Sequence, residues 1–251
     1  MTRDERRLAL DEIANEVRSC TACRLHEGRT NAVPGEGDPD TEVVFVGEGP
    51  GFNEDREGRP FVGRAGGMLV RLLGSVGWQR EDVFITNVVK CRPPDNRDPQ
   101  PDEIAACAPY LRRQLEVLDP AVVVTLGRYS MGTFMPGARI GQAHGTSQPV
   151  DPETGAANAL VFAMYHPAAA LRSPGVERDS FEDMRHVPEV LVRARGLREG
   201  GASRAPDRAT MTAAPAPAPA PVLDPAPDPA SSTVTGAAEP AAEDASQLTL
   251  F

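Results

Sequence analysis

Lysine is almost missing from this chain. Lys90 is the only one in 251 residues, and every other basic side chain is arginine. That excess of arginine reads as a compositional bias of the coding sequence. Acids outnumber bases, 36 against 26, for a formal charge of −10. A surface of that sign excludes bulk electrostatic capture of nucleic acid and leaves a local arginine-lined face as the only route to such a partner. No apolar run reaches the roughly 18 residues that a membrane span needs. The opening MTRDERRLALDEIANEV is charged throughout and lacks a signal-peptide core, so a cytoplasmic protein is expected.

Aromatic residues are absent from Gly201 until Phe251. This stretch contains AAPAPAPAPVLDPAPDPA, which cannot bury enough apolar surface to offset its ordering entropy, and it reads as a disordered Pro/Ala-rich C-terminal tail. Three parts are expected: a domain over residues 1–199, a linker over 200–246 and a short peptide at 247–251. The tail from Gly201 holds six acids and two arginines, which leaves the body 30 acids against 24 bases, or −6. Roughly 200 residues suffice for one sizeable core.

Four short, β-branched runs stand in the domain: EVVFV (42–46), VFITNVV (83–89), AVVVTLG (121–127) and LVFAMYH (160–166). Helical patterns fall between them, at 65–77, 102–118 and near 129–134, with a further helix expected at 178–195. A first helix over about 4–19 is indicated by Leu8, Ile13 and Val17 at helical spacing. Strands alternating with helices predict an α/β fold with a parallel sheet covered on both faces. In such sheets ligands bind beyond the carboxyl ends of the strands. Those ends carry Gly47-Glu48-Gly49-Pro50, Asn87 and His166-Pro167, so a carboxylate, an amide and an imidazole are expected in one crevice.

The segment after the first strand reads GEGPGFNEDREGRPFVGRAGG (47–67). Its glycines suggest a phosphate cradle, yet it has no lysine and does not open directly into a helix, and Glu48, Glu54 and Asp55 would repel a pyrophosphate. The alternative is a loop for close backbone approach to a flat, neutral ligand. Gly49 and Gly51 clear space, Pro50 stiffens the turn, and Phe61 offers a ring for stacking. Asp55 is read as a solvated turn residue.

Cys20 and Cys23 form C-x-x-C, and Cys91 and Cys107 are single. Structural disulfides are rare in the cytosol. Four thiols in a 2+1+1 arrangement suit an iron–sulfur cluster or zinc, with free buried thiols as the remaining reading.

Taken in order, GEGPGFNEDREGRPFVGRAG, TNVVKCRPPDNRDPQPDE with Cys107 following, and HPAAALR resemble the family 4, iron–sulfur uracil-DNA glycosylases over about residues 10–195. The resemblance implies a three-layer α/β/α fold with a four-stranded parallel sheet. It also implies a [4Fe-4S] cluster on Cys20, Cys23, Cys91 and Cys107. The implied activity is flipping of uracil out of DNA and hydrolysis of its glycosidic bond, leaving an abasic site. In the implied roles Phe61 stacks on the base, Asn87 reads its edge, and Glu54 crowds C5 against thymine. His166 donates to O2 with the Gly49 N–H assisting, Glu48 orients water or steadies the sugar cation, Leu171 wedges into the stack and Arg172 meets phosphate. A superfamily relative that captures DNA covalently does so through a histidine on an arginine-rich insertion. The segment CRPPDNRDPQPDE has neither, which disfavours trapping. Two other readings are a non-catalytic or covalent repair scaffold of the same fold and an electron-transfer protein. Intact Glu48, Asn87 and His166 oppose the first, and the lack of a partner-cofactor motif opposes the second. A monomer is expected. The terminal Gln247-Leu248-Thr249-Leu250-Phe251 resembles the Q-L-x-L-F peptide by which bacterial repair proteins grip the DNA polymerase sliding clamp. There Leu250 and Phe251 would act as anchors and Gln247 as the polar contact.

Overall fold

The computed structural model describes residues 1–202, and of 200–202 only the helical backbone. The linker from 203 onward and the Gln247–Phe251 peptide lie outside the described residues. The elements run α1 (Arg3–Ser19), α2 (Leu25–Gly28), β1 (Glu36–Gly37), β2 (Val43–Gly47), α3 (Phe52–Glu57), α4 (Arg64–Ser75), β3 (Phe84–Asn87) and α5 (Pro101–Leu118). They continue with β4 (Val122–Leu126), α6 (Arg128–Phe134), α7 (Ile140–Ala143), β5 (Ser147–Pro149), β6 (Leu160–Met164), α8 (Pro167–Ala170) and α9 (Pro174–Ala202). No helix among the described residues is long and apolar enough to cross a membrane.

The sheet order is β1-β3-β2-β4-β6-β5. The four central strands are parallel, with Gly47 opposite Asn87 at the β2–β3 end and Leu126 opposite Met164 at the β4–β6 end. The expected four-stranded parallel core is present, extended by an antiparallel strand at each edge. Strands of two and three residues are too short to leave a period in the sequence.

Each central strand is buried on both faces, and alternation assigns its side chains. Val44, Val46, Val123 and Val161 join α1 and α5 through Ile13, Val17, Leu111 and Leu115. Val43, Phe45, Val122, Val124 and Phe162 join α4 and α9 through Leu69, Leu72, Met184 and Val187. A three-layer sandwich results, and each fully buried Leu or Phe contributes roughly 1.5–3 kcal/mol.

α1 begins at a capping box, in which the Thr2 side chain accepts from Glu5 N and Glu5 reaches back to Thr2 N. Its buried stripe is Leu10, Ile13 and Val17, whereas Leu8 is exposed, so Leu8 does not belong to the predicted face. The segment after β2 also departs from a continuous loop: residues 52–57 form α3, closed by Gly58 at φ 71°. Asp55 is buried rather than solvated. Its Oδ1 accepts from Thr30 N at 2.8 Å and Asn31 N at 3.4 Å, tying α3 to the segment after α2.

Candidate active site

The carboxyl ends of β2, β3, β4 and β6 open into one cleft of about 680 Å³, lined among others by Glu48, Gly49, Glu54, Phe61, Asn87 and His166. The predicted crevice is therefore formed, and Arg172 lines it too. Leu171 stands beside it, 37% exposed. Gly127 and Arg128, at the end of β4, line the same cleft, as do Asp98 and Tyr165.

Asn87 ends β3 and is 1% exposed, yet its Oδ1 has no hydrogen-bond partner among the described residues. A buried carbonyl left unpaired costs about 1–3 kcal/mol. Such an orphan in a cleft is an acceptor waiting for a donor. Gly47 makes room for it, because a Cβ there would come within 2.4 Å of Oδ1 and 2.6 Å of Phe61 Cζ.

Phe61 sits at φ 51°, a left-handed conformation that costs a non-glycine residue of order 1 kcal/mol or more. Its surroundings enforce that turn. Arg80 donates to the carbonyls of Phe61, at 2.9 Å, and of Pro60, while pairing with Glu36 at 3.0 Å. Glu54 Oε1 accepts from the backbone N–H of Val62 and Gly63, both at 3.0 Å. Gly66 lets α4 approach, since a Cβ there would meet Phe61 O at 1.8 Å. Glu54 thus lines the cleft with one carboxylate oxygen already committed to holding the aromatic turn.

The His166 ring lies 5.7 Å from the Phe61 ring, tilted by 30°. Its Nδ1 accepts from Ala168 N at 3.1 Å, capping α8. A backbone N–H can only donate, so the neutral ring carries its proton on Nε2. Burial, aided by the nearby Arg172 charge, pushes the imidazole down to about 4. At neutral pH His166 is an uncharged Nε2–H donor. Glu48 moves the opposite way, because burial and the Asp98 charge raise its carboxyl to about 6, against the lowering effect of Arg128.

The four cysteines converge elsewhere. Cys20, Cys23, Cys91 and Cys107 line one small cavity with Val17, Arg29, Lys90 and Tyr110. Among the described residues no three His, Cys, Asp or Glu side chains close on a point that holds a single metal ion. Donors surround the sulfurs: Arg29 Nη1 lies 3.1 Å from Cys91 Sγ, Lys90 N 3.2 Å from Cys107 Sγ, and Ala22 N 3.4 Å from Cys20 Sγ. Burial raises the Cys107 thiol to about 11, so a thiolate there needs a cationic centre to hold it.

Lys90 lies between the two regions, 1% exposed. Its Nζ donates to Asn87 O at 2.8 Å, Thr86 Oγ1 at 2.6 Å and Gln114 Oε1 at 2.7 Å. Three point acceptors around a compact ammonium are a geometry that arginine's planar fork does not match. Desolvation lowers Lys90 to about 8. Neither Lys90 nor Arg80 was singled out as a site residue from the sequence, because Arg80's partners lie 19 to 44 residues away, and Lys90 meets Gln114 24 residues on together with a nearby hydroxyl and a backbone carbonyl that form no motif.

Residues 34–187 match the model of the uracil DNA glycosylase superfamily. A type-4 uracil-DNA glycosylase of Saccharolobus solfataricus is 50% identical over 188 residues, 72% of this chain and 86% of that protein. The Sulfurisphaera tokodaii type-4 enzyme is 46% identical over 73% of this chain and 86% of its own length. That of Thermotoga maritima is 47% identical over 68% and 86%. This chain belongs to the uracil-DNA glycosylase superfamily, in its type-4 branch.

Proposed function

We propose that the cleft receives a single uracil flipped from DNA and that the protein hydrolyses its N-glycosidic bond, leaving the strand unbroken at an abasic site. The carrying observation is the unpartnered, buried Asn87 Oδ1. It is an acceptor for uracil N3–H, while the Nδ2 of the same amide is a donor for O4. Cytosine presents the opposite pattern and leaves Oδ1 unpaired. Phe61, pre-set in its strained turn, stacks on the base.

Bond cleavage leaves negative charge on the uracil and positive charge on the sugar. The Nε2–H of His166 is a preorganised neutral donor for the developing oxyanion at O2, with the Gly49 N–H assisting. A neutral donor serves here, since it needs no proton to be delivered. Glu48, ionised above about pH 6, supplies the negative charge that steadies the sugar cation or orients water. Glu54 narrows the pocket near C5. Leu171 and Arg172 meet the duplex as wedge and phosphate contact.

Cys20, Cys23, Cys91 and Cys107 would hold a [4Fe-4S] cluster. The support is a four-thiol cavity with hydrogen-bond donors on its sulfurs. When bound, the cluster's contribution is structural, tying α1 to α5 and the loop after β3. The enzyme is read as a cytoplasmic monomer that reaches replicated DNA by Gln247, Leu248, Leu250 and Phe251 on the sliding clamp. Deleting 247–251 would abolish clamp binding and leave excision from short oligonucleotides unchanged.

The test of the main reading is release of free uracil from a uracil-bearing oligonucleotide that breaks only after alkali. Retained DNA binding with a strand that survives alkali would favour the scaffold.

A further inference from the structure

Phe52 is the only exposed aromatic side chain among the described residues, at 57%. It opens α3 at the mouth of the cleft, next to Gly51 and two residues before Glu54, both of which line it. Two guanidiniums lie over its ring, that of Arg92 at 5.2 Å from the centroid and that of Arg56 at 6.0 Å. Arg92 comes from the loop after β3 and precedes Pro93, another cleft residue. Two separate loops thus bring their cations to one solvent-facing ring.

Most arginines around this face are neutralised. Arg59 and Arg80 pair with Glu36, Arg97 with Glu103, and Arg128 with Asp98, each within 3.0 Å. Arg56 reaches only Glu57, at 3.9 Å, and Arg92 has no carboxylate within 4 Å among the described residues. Arg92 Nε instead donates to Asn96 Oδ1 at 2.8 Å, which fixes it over the ring. A ring still 57% exposed beside two cations without close carboxylate partners, at the mouth of the cleft, fits an anionic ligand with a flat face.

We propose that Phe52 is a stacking platform for an unpaired base of the uracil-bearing strand next to the flipped nucleotide, with Arg56 and Arg92 meeting the flanking phosphates. The platform lies on the β2–β3 side, whereas Leu171 and Arg172 stand on the β6 side. Stacking on an aromatic ring is tolerant of sequence and helps most where a base has lost its neighbour. In a duplex the flanking bases keep their own stacks, so the platform contributes chiefly to single-stranded uracil substrates. The proposal rests on the uracil-excision reading.

The experiment uses the full chain with uracil oligonucleotides, single-stranded and duplex. Phe52→Ala is expected to raise KM for the single strand on the order of tenfold, with a smaller change for the duplex and the effect confined to KM. Phe52→Trp restores the parent KM. Arg56→Gln with Arg92→Gln lowers the slope of log affinity against log salt by roughly 0.7 per lost phosphate contact on the single strand. A Phe52→Ala protein whose KM stays within twofold of the parent on both substrates overturns the proposal, as does an equal rise on both. A fall in kcat alone also overturns it, since Phe52 would then act through α3 and Glu54. A parent protein that releases no uracil defeats the excision reading itself, which is a separate outcome.

Discussion

Two polar regions grow from the exit of β3, and they solve opposite problems. In the cleft, Asn87 Oδ1 is buried without a partner among the described residues, His166 is held neutral and the Glu48 carboxyl is raised to about 6. Around the cysteines and Lys90 the polar atoms are closely partnered: three acceptors on the ammonium, and donors on three of the four sulfurs. An unsatisfied group marks the place where substrate completes the structure, and a satisfied one marks the place where the fold completes itself. Lys90 belongs to the second kind, yet its bond to the Asn87 carbonyl lets it serve the first.

The comparison breaks most visibly at His166. His166→Ala should lose about 10²–10³-fold in kcat through the missing donor. The stability cost should be only that of a helix cap, about 1 kcal/mol, read from thermal unfolding. A variant within threefold of the parent removes His166 from the chemistry.

Lys90→Met should act the other way round. It leaves three buried oxygens without their donor, so urea unfolding should show a loss of ~3 kcal/mol, while any residual folded protein keeps the parent's kcat within a few fold. Unchanged stability would mean that the three hydrogen bonds contribute nothing net.

Glu48 sharpens the contrast through pH. Its carboxyl is raised, so the ionised form prevails above about 6 and is lost as pH falls through that value. The ratio kcat/KM should be flat above that pH and drop tenfold per unit below it, and Glu48→Gln should erase that limb. A limb that survives the substitution belongs to another group.

Arg80→Met is expected to have the smallest effect. It unclamps the Phe61 turn, and uracil kcat/KM should fall several-fold, corresponding to about 1 kcal/mol of conformational strain no longer enforced. No change would show that Glu54 and Gly66 hold the turn by themselves.

Much of this site was legible because parallel α/β sheets place chemistry at strand ends, so Glu48, Asn87 and His166 could be brought together from their positions in four apolar runs. Family motifs then supplied roles that no pattern supplies. Other features were hidden for physical reasons. The edge strands β1 and β5 are too short for a period. α3 hides in a glycine-flanked, charged segment, and its Asp55 looks solvated until Thr30 and Asn31 are seen folding over it. Glu54 reads as a gatekeeper from its motif, and only the fold gives it the second task of holding Val62 and Gly63. Lys90 looked like the remnant of a biased composition. It is better explained as the one position where a buried, compact cation meets three separate acceptors.

The central claim is that Asn87 is buried for the substrate and not for the fold, and replacement by leucine tests it most directly. Its Oδ1 has no partner to lose among the described residues, so Asn87→Leu should melt at or above the parent temperature. Uracil release should nevertheless fall at least about a hundredfold in kcat/KM, the value of two lost hydrogen bonds. Uracil release within threefold of the parent would contradict the account, and so would a stability loss large enough to explain the missing activity.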